Sequence, residues 1–465
     1  MEKTDLTHVQ EKSKASALHK TLGPLHIWAL GVGVVLVGQF MGWNLGIVKG
    51  GSLGALIACW VIGILYICLV MVTTEMGSVI PESGGQYAMA KYLLGPLAAF
   101  NVGLMLVFEY VMLEAADALV VGEILKTLSP DVHALPYVLL SLLALTWLNY
   151  RGTHATLSLN IVLTGIAFFT ICVLLFSTRF YSAETSLLRI KEMTNGLPYG
   201  WMGILGAFQF GCWFYLGIEG TVLAAEECRS TSRALPVGAV VGLVTLIVGA
   251  TATWFVCSGL LPAGKLAGSV YPLFDAAMAT HMPLVIHLLF IGTVLSCLAS
   301  ANGCIADASR AWYAMARDTL IPDIFAVLHP KYNTPYRAIL FLLPIAIAFG
   351  FTGLLDQVVT FSILSALLVY LLTGYMMIKF RKMYPMGSIQ RGYTAPLHPL
   401  PTMLLLVLTT ATLAGMYFGY WINIASGCAF YFLASVWFVI HRSRYLDVSS
   451  YMATGASLLP RPRGY

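Results

Sequence analysis

Between residues 26 and 440 the sequence runs through a dozen apolar stretches separated by short polar breaks. They lie at 26–48, 53–76, 98–127, 134–149, 156–178, 201–222, 236–260, 283–310, 338–355, 358–380, 400–419 and 422–440. A helix needs about 20 mainly apolar residues to cross the hydrocarbon core of a bilayer. Only 10% of the residues are charged and the mean hydropathy is +0.81, whereas a soluble domain carries about 25% charged residues. The chain therefore lacks the polar surface to stand in water. The expected fold class is an all-α integral membrane protein of about 12 transmembrane helices.

Basic residues predict the orientation. Of the 26 lysines and arginines, Lys49, Lys126, Arg179, Arg189, Lys191 and Lys265 fall on one side and the other 20 on the side of both termini. The positive-inside rule then puts both termini in the cytoplasm of a multi-pass protein of the inner or plasma membrane. Met1 to Lys20 is polar and mixed in charge, so it reads as a soluble tail rather than a cleavable signal peptide. The net charge of +5 is spread through the breaks and does not form a nucleic-acid patch. Cys59, Cys68, Cys172, Cys257 and Cys297 sit inside apolar stretches, where sulfur behaves as a small hydrophobe. No cysteine pair has metal spacing.

Glycine carries the next signal. The first span holds Gly31, Gly33, Gly38, Gly42 and Gly46, and the sixth holds Gly203, Gly206, Gly211, Gly217 and Gly220. Each costs a helix about 1 kcal/mol relative to alanine. Glycine-interrupted segments at corresponding places of two halves point to a transporter site. Close helix packing through small residues is the other reading. The first and sixth spans correspond if spans one to five and six to ten form an inverted repeat.

The motifs along the chain are similar to those of the amino acid–polyamine–organocation transporters. The second span ends TTEMGSVIPESGGQYAMAKYLLGP, with Glu75, Pro81, Gly84, Gly85, Tyr87 and Gly95 in that family's order. NYRGTHATLSLN (Asn149 to Asn160), WFYLGIEGTVLAAEE followed by RALP, and SRAWYAMARDTLIPDIF followed by NTPYRA continue the resemblance. It implies a LeuT-type architecture, with repeats at 26–178 and 201–380, two further helices at 400–440, and tails at 1–25 and 441–465. Helices one and six would unwind near the midplane, at Val37-Gly38-Gln39 and Tyr215-Leu216-Gly217. Freed backbone groups there would hold the charged parts of a substrate. GVGVVLVGQFMGWNLG in the first span and FEYV in the third resemble the ethanolamine permease branch, which implies an amine or amino-alcohol substrate.

A carboxylate at the centre of a spanning helix costs roughly 2.5–3.5 kcal/mol. The third span has Glu109, Glu114 and Asp117; Glu114 and Asp117 share a helix face, and Glu109 lies further round. Glu114, with Asp117 or Glu109, would balance a substrate ammonium group; the bland alternative is a carboxyl tied into helix packing. Glu219 follows the sixth-span break, where it would relay a proton, lock a closed state, or cap the second half-helix. Trp213, Phe214 and Tyr215 precede it, and the resemblance makes Trp213 the gate that closes over a bound cation. Glu75 with Arg151, Glu226 with Arg233, and Arg310 and Arg317 are expected to form charge networks at the cytoplasmic face. His287 reads as a packing residue.

Some proton-coupled relatives carry a fifth-span lysine, and Ala167 stands there in this chain. Proton coupling through a carboxylate, sodium at Ser296 and Ser300, exchange and uniport all stay open, and no other cofactor is expected. The sequence lacks the converging nucleophile, base or metal cluster of an enzyme. The tails read as too short for the signalling domain of a membrane sensor, so a sensor is not expected. Thr127 to Pro136 has no cysteine, so no disulfide-linked accessory subunit is expected. The predicted function is alternating-access transport of a small amine-bearing solute, either an ethanolamine-like amine or an amino acid, with amino acid or polyamine exchange as the rival. Its partners would be that solute and the lipid bilayer.

Overall fold

The computed structural model describes residues 22–80, 82, 84–127, 131–177, 197–230 and 232–446. The expected tails lie largely outside these residues, as do Pro81 of the second-span motif and Arg179, Arg189 and Lys191 of the orientation count. Helix dominates. The first span is broken into α1 (Pro24–Val35), α2 (Val37–Met41) and the start of α3 (Trp43–Val79). After it come α4 (Gln86–Leu93), α5 (Pro96–Lys126), α6 (Ala134–Arg151) and α7 (Thr153–Ser177). The sixth span is α8 (Gly200–Trp213), a run of turns, and α9 (Gly220–Leu223). There follow α10 (Ala234–Leu260), α11 (Ala263–Ala267), α12 (Pro272–Met278), α13 (Pro283–Arg317), α14 (Tyr336–Gly350), α15 (Leu355–Met383) and α16 (Leu400–Tyr445).

Within the described residues, each of the twelve apolar stretches lies mainly on helix. Two pairs of neighbouring spans run together as single long helices with a bend between them. α3 turns at Gly51, whose φ of +72° suits a residue without a side chain. α16 turns at Tyr420, with φ −139° and ψ 36°. Seven helical segments among the described residues are long and apolar enough by themselves to cross a membrane. α5 has the length, with 31 residues, but carries the acids noted above. α14 has only 15 residues, and Pro344 stands inside it.

The centre is one continuous buried cluster drawn from almost every helix. α8 lies against α3, while α13 fills the space between α5 and α7. α15 lies between α5 and α16. The outer surface is apolar as well, with Phe176 72% exposed, Trp201 79% and Phe432 67%. A soluble protein hides such side chains, whereas a bilayer solvates them. Trp60 belongs to this outer surface and Trp254 to the interior. The all-helical, multi-span expectation matches this arrangement.

Candidate functional site

The two broken helices meet in the interior. In the first, Val37 to Met41 forms a short helix set off from its neighbours at Leu36 and Gly42, both of which keep helical φ and ψ and donate to Val32 C=O at 2.9 Å and Gly38 C=O at 2.7 Å. Val37-Gly38-Gln39, expected to unwind, lies in this short helix. Gly38 is needed for closeness rather than for an unusual φ. A Cβ on it would stand 2.8 Å from the carbonyl carbon of Trp213 and closer still to the oxygen. In the second broken helix the interruption falls where it was expected. Gly217 has φ +105°, a conformation that side chains rarely adopt. Phe214 to Val222 is held by short-range turns such as Tyr215 N–H to Cys212 C=O at 2.9 Å and Gly220 N–H to Gly217 C=O at 2.9 Å. A Cβ on Gly217 would run into Val34. Each break thus rests on the other.

Breaking a helix frees carbonyls, and α13 satisfies one of them. The Ser300 hydroxyl donates to the Val34 carbonyl at 2.5 Å. Ser296, one turn earlier, donates within its own helix to Thr293 at 2.8 Å. Asp117 of α5 lies beside Ser300, and both of its carboxylate oxygens lack a hydrogen-bond donor. Glu114 lies next to Asp117 on the same side of α5. Glu109 belongs to a different group. Its carboxyl meets Glu219 at the α8–α9 break, and Ser362 of α15 donates to its backbone carbonyl at 2.7 Å.

Glu219 is the residue just before α9, at its N-cap, without making a side-chain cap. Its carboxylate instead accepts the Gly217 N–H at 3.2 Å and the Tyr370 hydroxyl. Tyr370 in turn meets the Tyr66 hydroxyl at 3.1 Å. The aromatic residues before the break diverge. Phe214 lies on Trp43, with ring centroids 4.3 Å apart. Tyr215 points to α3 and meets Cys59 at 3.2 Å. Trp213 is buried with its indole N–H unpartnered. Gln39 lies against Gly249 and donates to the Leu246 carbonyl of α10 at 3.1 Å. All ten residues singled out from the sequence for substrate contact are buried. Among the described residues, Glu109, Glu114, Asp117 and Glu219 have no ion-pair partner.

A profile of the amino acid permease family matches residues 26–450. The chain belongs to the amino acid permease family. An uncharacterized transporter of Rhizobium meliloti (strain 1021) is 47% identical over 99% of this chain and 100% of its own length. The branched-chain amino acid permease BcaP of Bacillus subtilis (strain 168) is 24% identical, covering 91% of this chain and 94% of its own. The human cystine/glutamate transporter is 22% identical over 67% and 64% respectively. This permease is thus a multi-pass membrane transporter of the amino acid–polyamine–organocation superfamily, with its LeuT-type fold, and not an enzyme.

The permease is tied together at the end where α1 begins. The Leu22 N–H donates to Glu227 C=O and the Arg229 N–H to Leu22 C=O, both at 2.9 Å, so the chain before α1 is clamped to the chain after α9. Arg310 holds Glu227 at 2.7 Å and Asp307 at 2.9 Å. Lys91 of α4 holds Asp318 at 2.8 Å and Glu82 at 3.5 Å. Two expected pairs are replaced. Glu75 pairs with Arg381 at 2.6 Å and Arg391 at 3.5 Å, and Arg151 lies over the Trp147 ring instead. Glu226 is held by Arg317 at 3.1 Å. Arg381 lies on α15, 306 residues from Glu75, and Arg391 just beyond that helix. Burial pushes the Glu82 carboxyl up from its ordinary value, with Lys91 opposing the shift. His287 bonds only within its own helix, to the Pro283 carbonyl at 2.6 Å.

Tyr66, Tyr370, Tyr110 and Asp307 also surround the acidic centre, and the sequence reading passed over them. Tyrosines in apolar helices carry no distinguishing pattern. Asp307 could have been noticed as one more carboxylate inside a span, the eighth.

Proposed function

We propose that this permease carries a small amine-bearing solute by alternating access, holding its ammonium group against the acidic side of α5. The supporting observation is Asp117. A carboxylate accepts several hydrogen bonds, yet both Asp117 oxygens are buried without a donor, beside the hydroxyl that bridges α13 to the interrupted first helix. Glu114 extends the same acidic side. An ammonium group brings three donors and one positive charge, which answers both needs. Val37, Gly38 and Gly217 form the floor where the breaks cross. Trp213 closes over the cation, with Phe214 and Tyr215 fixing its position. Gln39 ties the first helix to α10 instead of touching solute.

An ethanolamine-like amine and an amino acid share the ammonium group. They differ in whether a carboxylate must also be held at the first break. The names of BcaP and the cystine/glutamate transporter favour the amino acid, and the G-W-N sequence at Gly42-Trp43-Asn44 favours the amine. Residues 26–178 and 201–380 act as the two rocking repeats, with both termini in the cytoplasm of a plasma or inner membrane. The coupling ion is a proton or sodium, the latter at Ser300 and the Val34 carbonyl.

Uptake into proteoliposomes, competed by ethanolamine, agmatine, alanine, glutamate and arginine, tests the reading. At least one amine or amino acid should compete, and Glu114→Gln should raise its half-saturating concentration. If none competes, the assignment fails; if the Glu114→Gln value is unchanged, Glu114 leaves the site.

A further inference from the structure

We propose that Glu109 and Glu219 together hold one exchangeable proton where α5 meets the α8–α9 break, and that this proton drives transport. The second half rests on the transport reading above; the first does not. Two ionised carboxylates are acceptors only, and adjacent like charges disfavour full ionisation. The Glu109 and Glu219 carboxyl groups face each other. Both Glu109 oxygens are buried without a donor, while the Glu219 oxygens are taken by Gly217 N–H and the Tyr370 hydroxyl. A single proton between the two carboxyls turns that contact from repulsive to bonded.

Among the described residues, no cation pairs with either carboxyl. Facing the pair are Tyr66 from α3, Tyr110 from α5, Cys212 from α8, Asp307 from α13, Tyr370 from α15 and Tyr431 from α16. Arg310, which pairs with Asp307, is also held by Glu227. The pair also sits at a pivot, because Glu219 is two residues beyond Gly217 with its positive φ. Losing the proton puts two negative charges in contact and pushes α9 away from α5. Regaining it draws them together.

Routes for the proton lie on both sides. The Tyr66 and Tyr370 hydroxyls form a file that ends at the Glu219 carboxylate. On the other side the Tyr110 hydroxyl and one Asp307 oxygen lack partners and both lie against Gly220. One proton is taken from one side of the membrane and one is released on the other. No bond to carbon forms or breaks.

Infrared spectroscopy of the purified full-length protein in lipid tests the pair without any solute. The wild type should show a protonated carboxyl C=O band that Glu109→Gln removes, that Glu219→Gln removes equally, and that the double variant does not reduce further. Glu109→Asp keeps the question open if the glutamine variant does not fold: it should retain the band at a shifted frequency. An undiminished band in the double variant, or losses that add, would overturn the shared proton. For coupling, proteoliposomes loaded with the pH dye pyranine should acidify when ethanolamine or alanine is added outside, and Glu109→Gln should abolish this while radiolabelled counterflow stays measurable. Wild-type counterflow without acidification would overturn the coupling role. Absence of counterflow for every solute would instead remove the transport reading, and the coupling role with it, leaving the infrared result to decide the proton.

Discussion

Alanine at Gly38 should separate close approach from helix propensity. Gly38 lies within a short helix of ordinary geometry, so replacing it with alanine gains about 0.5–1 kcal/mol of backbone preference. Against that, the new Cβ would stand 2.8 Å from the Trp213 carbonyl carbon and 3.3 Å from the Phe214 Cα. Real Cβ contacts essentially never fall under 3.0 Å. Both obstacles are backbone, so no side chain can swing aside and the two broken helices must separate. Overpacking of this kind costs about 1–3 kcal/mol, and a net loss of 1.4 kcal/mol lowers the population of the assembled site about tenfold. Gly206→Ala is the control, because its Cβ would find nothing nearer than the Lys49 Cβ at 3.9 Å. Thermal unfolding followed by size-exclusion of the detergent-solubilised protein, with uptake per folded molecule, reads both variants. Gly38→Ala should unfold earlier and lose most of its uptake, and Gly206→Ala should match or exceed the wild type. Equal behaviour of the two variants would refute the close-approach argument.

At the end where α1 begins, Glu75→Ala should destabilise by about 3–5 kcal/mol, because it strands two arginines around a fully buried carboxylate position. Glu226→Ala, whose pair is part-exposed, should cost about 0–1 kcal/mol; the same melting assay compares them. Glu82 gives a pH dependence of unusual sign. Its carboxyl is raised above its ordinary value of 4.5 by burial, so its contribution favours the folded state below that value and is lost as pH rises through the raised one. The melting temperature of wild type relative to Glu82→Gln should therefore improve as pH falls toward 4.5, and the opposite trend would contradict the burial argument. Gln39→Met removes one hydrogen bond to α10 and should cost about 1 kcal/mol without changing the half-saturating solute concentration; a raised concentration would return Gln39 to the solute site.

The spans were legible because a bilayer demands length and apolarity, and both can be counted. The second break was legible for a related reason, since few residues besides glycine accept the φ of Gly217. The first was less so, because a glycine marks close approach as readily as a turn, and Gly38 serves the former from within a short helix. The acids of α5 announced themselves by their cost in the membrane, but not which neighbour each would meet. Glu109 turns to the hinge while Glu114 and Asp117 turn to α13. What was hidden is what joins distant parts of the chain. Tyr66 meets Tyr370 across 304 residues and Glu75 meets Arg381 across 306, and no local pattern encodes such pairs.

Recognition of an ammonium group is the claim on which the rest depends, and matched competitors test it most directly. Radiolabelled ethanolamine and alanine uptake into proteoliposomes is competed by each amine and by its counterpart without nitrogen, ethylene glycol or lactate. Hydrogen bonds to a charged group contribute about 1.5–3 kcal/mol, so the amine should compete at concentrations about 10- to 150-fold lower than its counterpart. Equal competition by the members of a pair would contradict the account.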